Sequence, residues 1–213
     1  MRFRSILGSA TAGAVLTATA LVATGATPAQ AAPARDLGTT SLAGVLGADG
    51  VKFDSKWKDY DIVEAAVYAV AEAKPDSPVL VLADGTKRVT AFVPSDKAFR
   101  NLVKDLTGKS YSSEKKVFTK LAGLVDIDTL ETVLLYHVVP GATITAAKAL
   151  KANGAKLTTA AGVKLKVKVT HGMVKLVDKD PDNANATVIV PDINKGNRQI
   201  AHGIDVVLRP VDL

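Results

Sequence analysis

The chain has 213 residues, a formal net charge of +6, 47% hydrophobic residues and no cysteine. Without cysteine it can be neither a disulfide scaffold nor a lipid-anchored lipoprotein, so it must hold itself together by its core. The 27 basic residues are interleaved with 21 acidic ones, a mild excess that does not call for nucleic acid as a partner.

Met1 to Arg4 carry two arginines, and Ile6 to Ala26 contain only Ile, Leu, Val, Ala, Gly, Ser and Thr. Ala29-Gln30-Ala31 then offers the small-x-small pattern of a signal-peptidase site. Residues 1–31 therefore read as an export signal cut before Ala32, residues 32–37 as a short tail, and residues 38–213 as one domain. Loss of Arg2 and Arg4 lowers the net charge from +6 to +4. The apolar run is rich in Thr, Ser and Gly, which favours cleavage over retention as an anchor. The C-terminal residues show no apolar tail and no wall-sorting signal. The expected location is extracellular or loosely cell-surface associated, with no stable membrane insertion, and the Ala, Val, Thr, Lys and Asp usage reads as bacterial.

Helical spacing of Ile62, Val63, Ala66, Val67, Val70 and Ala73 behind Asp61 and Glu64 predicts a helix with a capping box, stopped by Pro75. Val79 to Leu82 and Arg88 to Val93 flank Asp84-Gly85 and read as a β-hairpin. Ser95 then caps a helix with Ala98, Phe99, Leu102, Val103 and Leu106 inward, closed by Gly108. Ser112 or Ser113 opens another with Val117, Phe118, Leu121 and Leu124 inward. A third starts near Asp128 and runs into Val133 to Val139, which Pro140-Gly141 ends.

Beyond Pro140 the period falls to two: Val163, Leu165, Val167 and Val169 alternate with Lys164, Lys166 and Lys168, a half-buried strand. Met173 to Val177, Thr187 to Val190 and Gln199 to Leu208 complete a β-rich second half. Helices first and strands afterwards indicate an α+β domain.

Motifs for chemistry are absent. His137, His171 and His202 lie in separate segments without metal-ligand spacing, and neither a Gly-x-Ser-x-Gly elbow nor a His-Glu-x-x-His helix occurs. Asp178 to Asp182 has acids at alternate positions like a calcium loop, but Asn183 replaces the turn glycine and Ile189 the bidentate acid, so it reads as a solvated turn. No cofactor, metal or enzymatic activity is expected. Lys164, Lys166 and Lys168 share one strand face, either as a docking row for a polyanion such as a wall polymer or sulfated glycan or as protection of a sheet surface.

Three segments then line up. Val89 to Phe99, with Pro94-Ser95-Asp96 and Phe99, resembles the first conserved motif of fasciclin domains. Leu134 to Gly141 resembles the family's Tyr-His motif through Tyr136-His137, and Asn197 through His202, Asp205 and Pro210 resembles its second conserved motif. The resemblance covers about residues 38–210 and departs from the family at Arg198, at Gly203 and in the longer approach Pro75 to Thr86. It implies a fasciclin-like α+β fold, with helices mainly in the first half packed on a sandwich or wedge of two sheets.

It further implies a secreted, non-enzymatic adhesion or matrix-binding module whose partner is an extracellular protein or glycan. In animal members an Asp-Ile pair before the second motif, with the Tyr-His region, is associated with integrin binding, and Asp192-Ile193 stand in a similar place here. Pro94, Ser95, Asp96, Phe99, Asn197, His202, Asp205 and Pro210 are expected as scaffold, and Tyr136, His137, Asp192, Ile193 and the three lysines as candidate contact residues. A small-ligand carrier with a cleft near His137 and an exported hydrolase are the alternatives.

Overall fold

A computed structural model of the chain describes residues 36–48 and 50–211. The export-signal reading and most of the predicted tail lie outside the described residues. Among these, no helix is long and apolar enough to cross a membrane.

A short helix α1 (Leu42–Leu46) precedes α2 (Asp61–Ala73), a 3-10 helix (Pro78–Ala83) and strand β1 (Val89–Pro94). Helices α3 (Asp96–Thr107), α4 (Glu114–Ala122) and α5 (Ile127–Tyr136) follow, then β2 (Val138–Pro140) and α6 (Ala146–Ala149). The chain ends in β3 (Lys156–Thr158), β4 (Lys164–Thr170), β5 (Met173–Val177), β6 (Ala186–Ile193) and β7 (Gln199–Ile204).

The strands lie side by side in the order β2-β1-β7-β6-β5-β4-β3. All neighbours are antiparallel except β1 and β7, which run parallel from Val89↔Gln199 to Pro94↔Ile204. Strand β6 belongs to both halves: it meets β5 through Ala186 and Thr187, and β7 through Val188, Val190 and Ile193 with two register shifts. Such irregularities bend a strand, and here they divide the sheet into a wedge. After β3 the chain returns to β2 through Ala160 N–H on the Val138 carbonyl (2.7 Å), which nearly closes a barrel.

Strand β1 is buried along its whole length, because both of its faces carry core. Ala91 and Val93 pack with Ile62, Ala98, Leu102 and Leu134 under the helices. Phe92 faces the other way and joins Tyr136, Leu165, Leu176 and Ile204. The predicted alternation in β4 holds residue by residue: Leu165 and Val167 are buried while Lys164, Lys166 and Lys168 are exposed. Each such buried aliphatic contributes about 1.5–3 kcal/mol.

Several expectations are corrected. The segment Val79 to Leu82 is not a hairpin strand: Ser77 accepts the N–H of Val79 and Pro78 occupies the first turn, which winds the apolar run into a 3-10 helix that buries Val79 and Leu82. Asp61 starts α2 without capping it; the cap comes from Asp96. Helix α5 is capped by Asp126, which accepts from Thr129 N–H (2.7 Å), two residues before the predicted start. Ser95 and Ser113 hold the N-cap positions of α3 and α4 without side-chain caps. Leu106 and Leu124, predicted inward, are exposed. Helix α6 and strand β3 were not predicted, and the last strand stops at Ile204.

Candidate functional site

The Tyr-His segment sits where α5 gives way to β2. His137 is the C-cap residue of α5, so its ring folds back on the last turn and donates its Nδ1–H to the Val133 carbonyl (2.7 Å). Its Nε2 accepts the N–H of Leu208 (3.0 Å). These two bonds fix a neutral imidazole with hydrogen on Nδ1. Burial lowers its pKa to about 4, against the pull of the Val133 carbonyl. The neighbouring Tyr136 is 0% exposed and its hydroxyl has no hydrogen-bond partner; burial, then the Asp178 carboxylate, raises it to about 12.

The second motif is built the same way. His202 stacks on Phe92 at 5.8 Å between ring centres. Its Nδ1 accepts from Asp192 N–H (3.2 Å), and its Nε2 bonds the Ile144 carbonyl (2.8 Å). Asp192 adopts φ +59 and turns its carboxylate onto Ala146 N–H (2.7 Å) at the start of α6. Burial raises the Asp192 pKa, but the Ala146 N–H and Lys195 outweigh it and leave the group below its usual value. Ile193 pairs with Ala201 of β7 and packs, partly buried, on the helix-side core. Both buried imidazoles thus spend both nitrogens on backbone, which leaves neither a lone pair for base chemistry.

The remaining motif residues join distant segments. Asn197 accepts Thr40 N–H (3.1 Å) and donates to Asn194 Oδ1 (2.7 Å). Asp205 accepts Thr187 N–H (2.6 Å). Ser95 is buried with its N–H on the Ile204 carbonyl (3.1 Å). Asp96 caps α2, as described above, and Phe99 is in the helix-side core. The Asp178 to Asp182 turn is solvated as predicted only in part, at Lys179, Pro181 and Asp182. Asp180 is buried against Arg209 Nη1 (2.8 Å), Asp178 accepts the Arg209 N–H (2.8 Å), and Arg209 also pairs with Asp105 (2.6 Å). Arg209 was missed because nothing in its own segment signals a partner.

Two surfaces remain for binding. The first is the outer face of β3–β5. Register places Lys156 opposite Lys166 and Lys168 opposite Lys175, with Lys164 beside Thr158. Among the described residues, none of these five lysines forms an ion pair. The second is an apolar cavity of about 390 Å³ between α3, α5 and the C-terminal segment. Its lining includes Phe99, Leu102, Leu134, His137 and the exposed Leu106 and Val211, so it opens to the surface. Pro94 and Pro210 also line it, whereas Tyr136, Asp192 and Ile193 do not.

A fasciclin domain model matches residues 69–210. No curated protein sequence matches the chain. In fold it is similar to a FAS1 domain pair from the insect cell adhesion molecule fasciclin I, with a TM-score of 0.54 and 18% identity. That likeness covers 81% of this chain, which spans about half (51%) of the insect protein's chain.

Proposed function

The chain belongs to the fasciclin domain family, and from that premise we propose that it is a secreted, non-enzymatic adhesion or binding module. Its partner is an anionic polymer or acidic protein surface outside the cell, met through the lysine face of β3–β5. The observation that carries this reading is the cross-strand register. Like charges placed directly opposite each other on a sheet are destabilising, yet Lys156–Lys166 and Lys168–Lys175 are so placed, and among the described residues no carboxylate pairs with them. Protection of the edge strand β3 would need only one or two lysines. The reading of residues 1–31 as an export signal and the description of the structurally similar insect protein as a cell adhesion molecule support the extracellular setting.

The test is retention on immobilised heparin and on purified anionic wall polymer in low salt, comparing the wild type with a Lys164→Gln, Lys166→Gln, Lys168→Gln variant. Wild type is retained and elutes as salt rises, and the variant passes through. Equal behaviour of the two proteins removes the lysine face from the function.

The apolar cavity beside His137 favours a second reading, carriage of a small apolar ligand. A lining dominated by aliphatic and aromatic side chains, with both His137 nitrogens already engaged and Asp126, Thr129 and Arg209 among its polar members, would select chiefly by shape and hydrophobicity. Native mass spectrometry of protein exposed to medium-chain fatty acids separates the readings: a one-to-one adduct lost in Leu134→Trp supports carriage.

A further inference from the structure

The starts of three helices meet at one place. Asp61, Asp96 and Glu114 are the first residues of α2, α3 and α4. The loop before α2 is pinned to the start of α3 by Asp96 N–H on the Asp59 carbonyl (3.1 Å) and Lys97 N–H on the Trp57 carbonyl (2.9 Å). That docking brings carboxylate oxygens of Asp59, Asp96 and Glu114 within 4.8 Å of one another, and Asp54, Asp59 and Asp61 form an adjoining group of the same kind.

Helix N-termini attract anions, and Asp96 uses this fully, with one oxygen on Asp61 N–H and the other on Ile62 N–H. Glu114 does not. It is 0% exposed, and neither of its oxygens has a hydrogen-bond partner. Asp59 Oδ1 is likewise buried without one. Among the described residues, no ion pair reaches Asp59, Asp96 or Glu114, and the nearby Lys56 is engaged by Asp54 (2.6 Å). A carboxylate withdrawn from water and given no donor persists only if it takes up a proton or a cation. Burial, then the charges of Asp59, Asp54 and Asp61, moves Glu114 to about 7, opposed only weakly by the Asp54 N–H, which lies outside hydrogen-bonding geometry.

The donor set contains oxygen only, with no imidazole or thiolate, which suits a hard cation. Calcium binds oxygens at about 2.3–2.6 Å, so two of its ligands can stand up to about 5 Å apart, whereas magnesium, at about 2.0–2.1 Å, draws them closer and demands octahedral order. Each Asp96 oxygen accepts one N–H and keeps a second lone pair for a metal.

We propose that Asp59, Asp96 and Glu114 form a calcium site that joins the loop before α2 to the starts of α3 and α4. None of the lysine-face residues takes part, so the site stands or falls separately from the proposed binding face. Thermal unfolding and calorimetric titration of the full chain, stripped with EDTA and then supplied with CaCl2, MgCl2 or NaCl at matched ionic strength, test it. Calcium is expected to bind one-to-one and to raise the melting temperature by about 5 °C or more at a hundred times its dissociation constant. Magnesium should do less and sodium nothing. Glu114→Gln and the half-exposed Asp59→Asn should each weaken calcium binding at least tenfold. Absence of a calcium response in the wild type, an equal response to magnesium, or undiminished calcium binding by both variants overturns the proposal.

Discussion

Asp96, the first residue of α3, accepts the backbone N–H of Ile62 at 2.9 Å, and so closes the N-terminus of a helix that begins 35 residues earlier. Its other oxygen takes the N–H of Asp61 at 3.2 Å. Asp96→Ala leaves both donors buried without acceptors and should cost about 2–3 kcal/mol by urea unfolding. Asp96→Asn keeps an acceptor and should cost less than half of that. An Ala variant as stable as wild type would mean that α2 needs no cap from α3.

Stability should depend on pH in a defined window when calcium is chelated. Burial and a hydrogen bond that the protonated Asp96 carboxyl donates to Asp59 raise Asp96 to about 8, and Glu114 stands at about 7. Both hold protons that the unfolded chain has released, so their contribution is complete below about pH 4 and is lost as pH rises through 7 and 8. His137, lowered to about 4 by burial, acts oppositely: its contribution is complete above about 6.5 and is lost as pH falls through 4. The two oppose each other at intermediate pH. Above about pH 7 the histidines are largely neutral in both states and the carboxyls dominate, so stability should fall by about 1 kcal/mol from pH 7 to 8, and Glu114→Gln should reduce that slope. Denaturant midpoints across this range check it.

His137→Ala removes the acceptor of the buried Leu208 N–H and the partner of the Val133 carbonyl. It should lower stability by about 2–3 kcal/mol while leaving retention on heparin unchanged, since the ring is buried in the core and not on the exposed face that carries the lysines. An unchanged melting temperature with lost retention would make His137 a contact residue.

Lys168→Glu places an acid directly opposite Lys175. Exchanging repulsion for attraction should stabilise the fold by about 0.5 kcal/mol in low salt, yet reduce heparin retention. A gain in both would show that the face is not the binding surface.

Gly85→Ala would put a Cβ 1.7 Å from the Thr39 carbonyl oxygen, which is backbone and cannot turn aside. About 2–3 kcal/mol of destabilisation is expected in urea, with the 3-10 helix displaced from the Thr39 segment in proteolysis.

The sequence showed most clearly what repeats along one segment. The period-two lysines of β4 and the 3.6-period stripe of α3 each report a single face, and both faces stand where expected except at Leu106, in the last turn of α3. Val79 to Leu82 misled because four β-forming side chains outweigh the Ser77-Pro78 start signal in a simple pattern count. Helix α6 is too short for any period to appear. The acidic cluster was invisible for another reason: Asp59, Asp96 and Glu114 stand in three separate segments, and only the docking of the loop before α2 and the starts of α3 and α4 makes them neighbours. The same holds for Arg209, whose partners Asp105 and Asp180 lie in two other segments.

Strand β1 has β7 as its parallel neighbour, and the two are separated by more than a hundred residues. During synthesis the middle of the sheet therefore stays open until the last strand has emerged. Contacts of such long sequence separation form slowly, so the centre of the sheet is completed only after nearly the whole chain has been made. A truncation that removes only residues 199–204 would leave β1 and β6 with bare edges facing an empty lane.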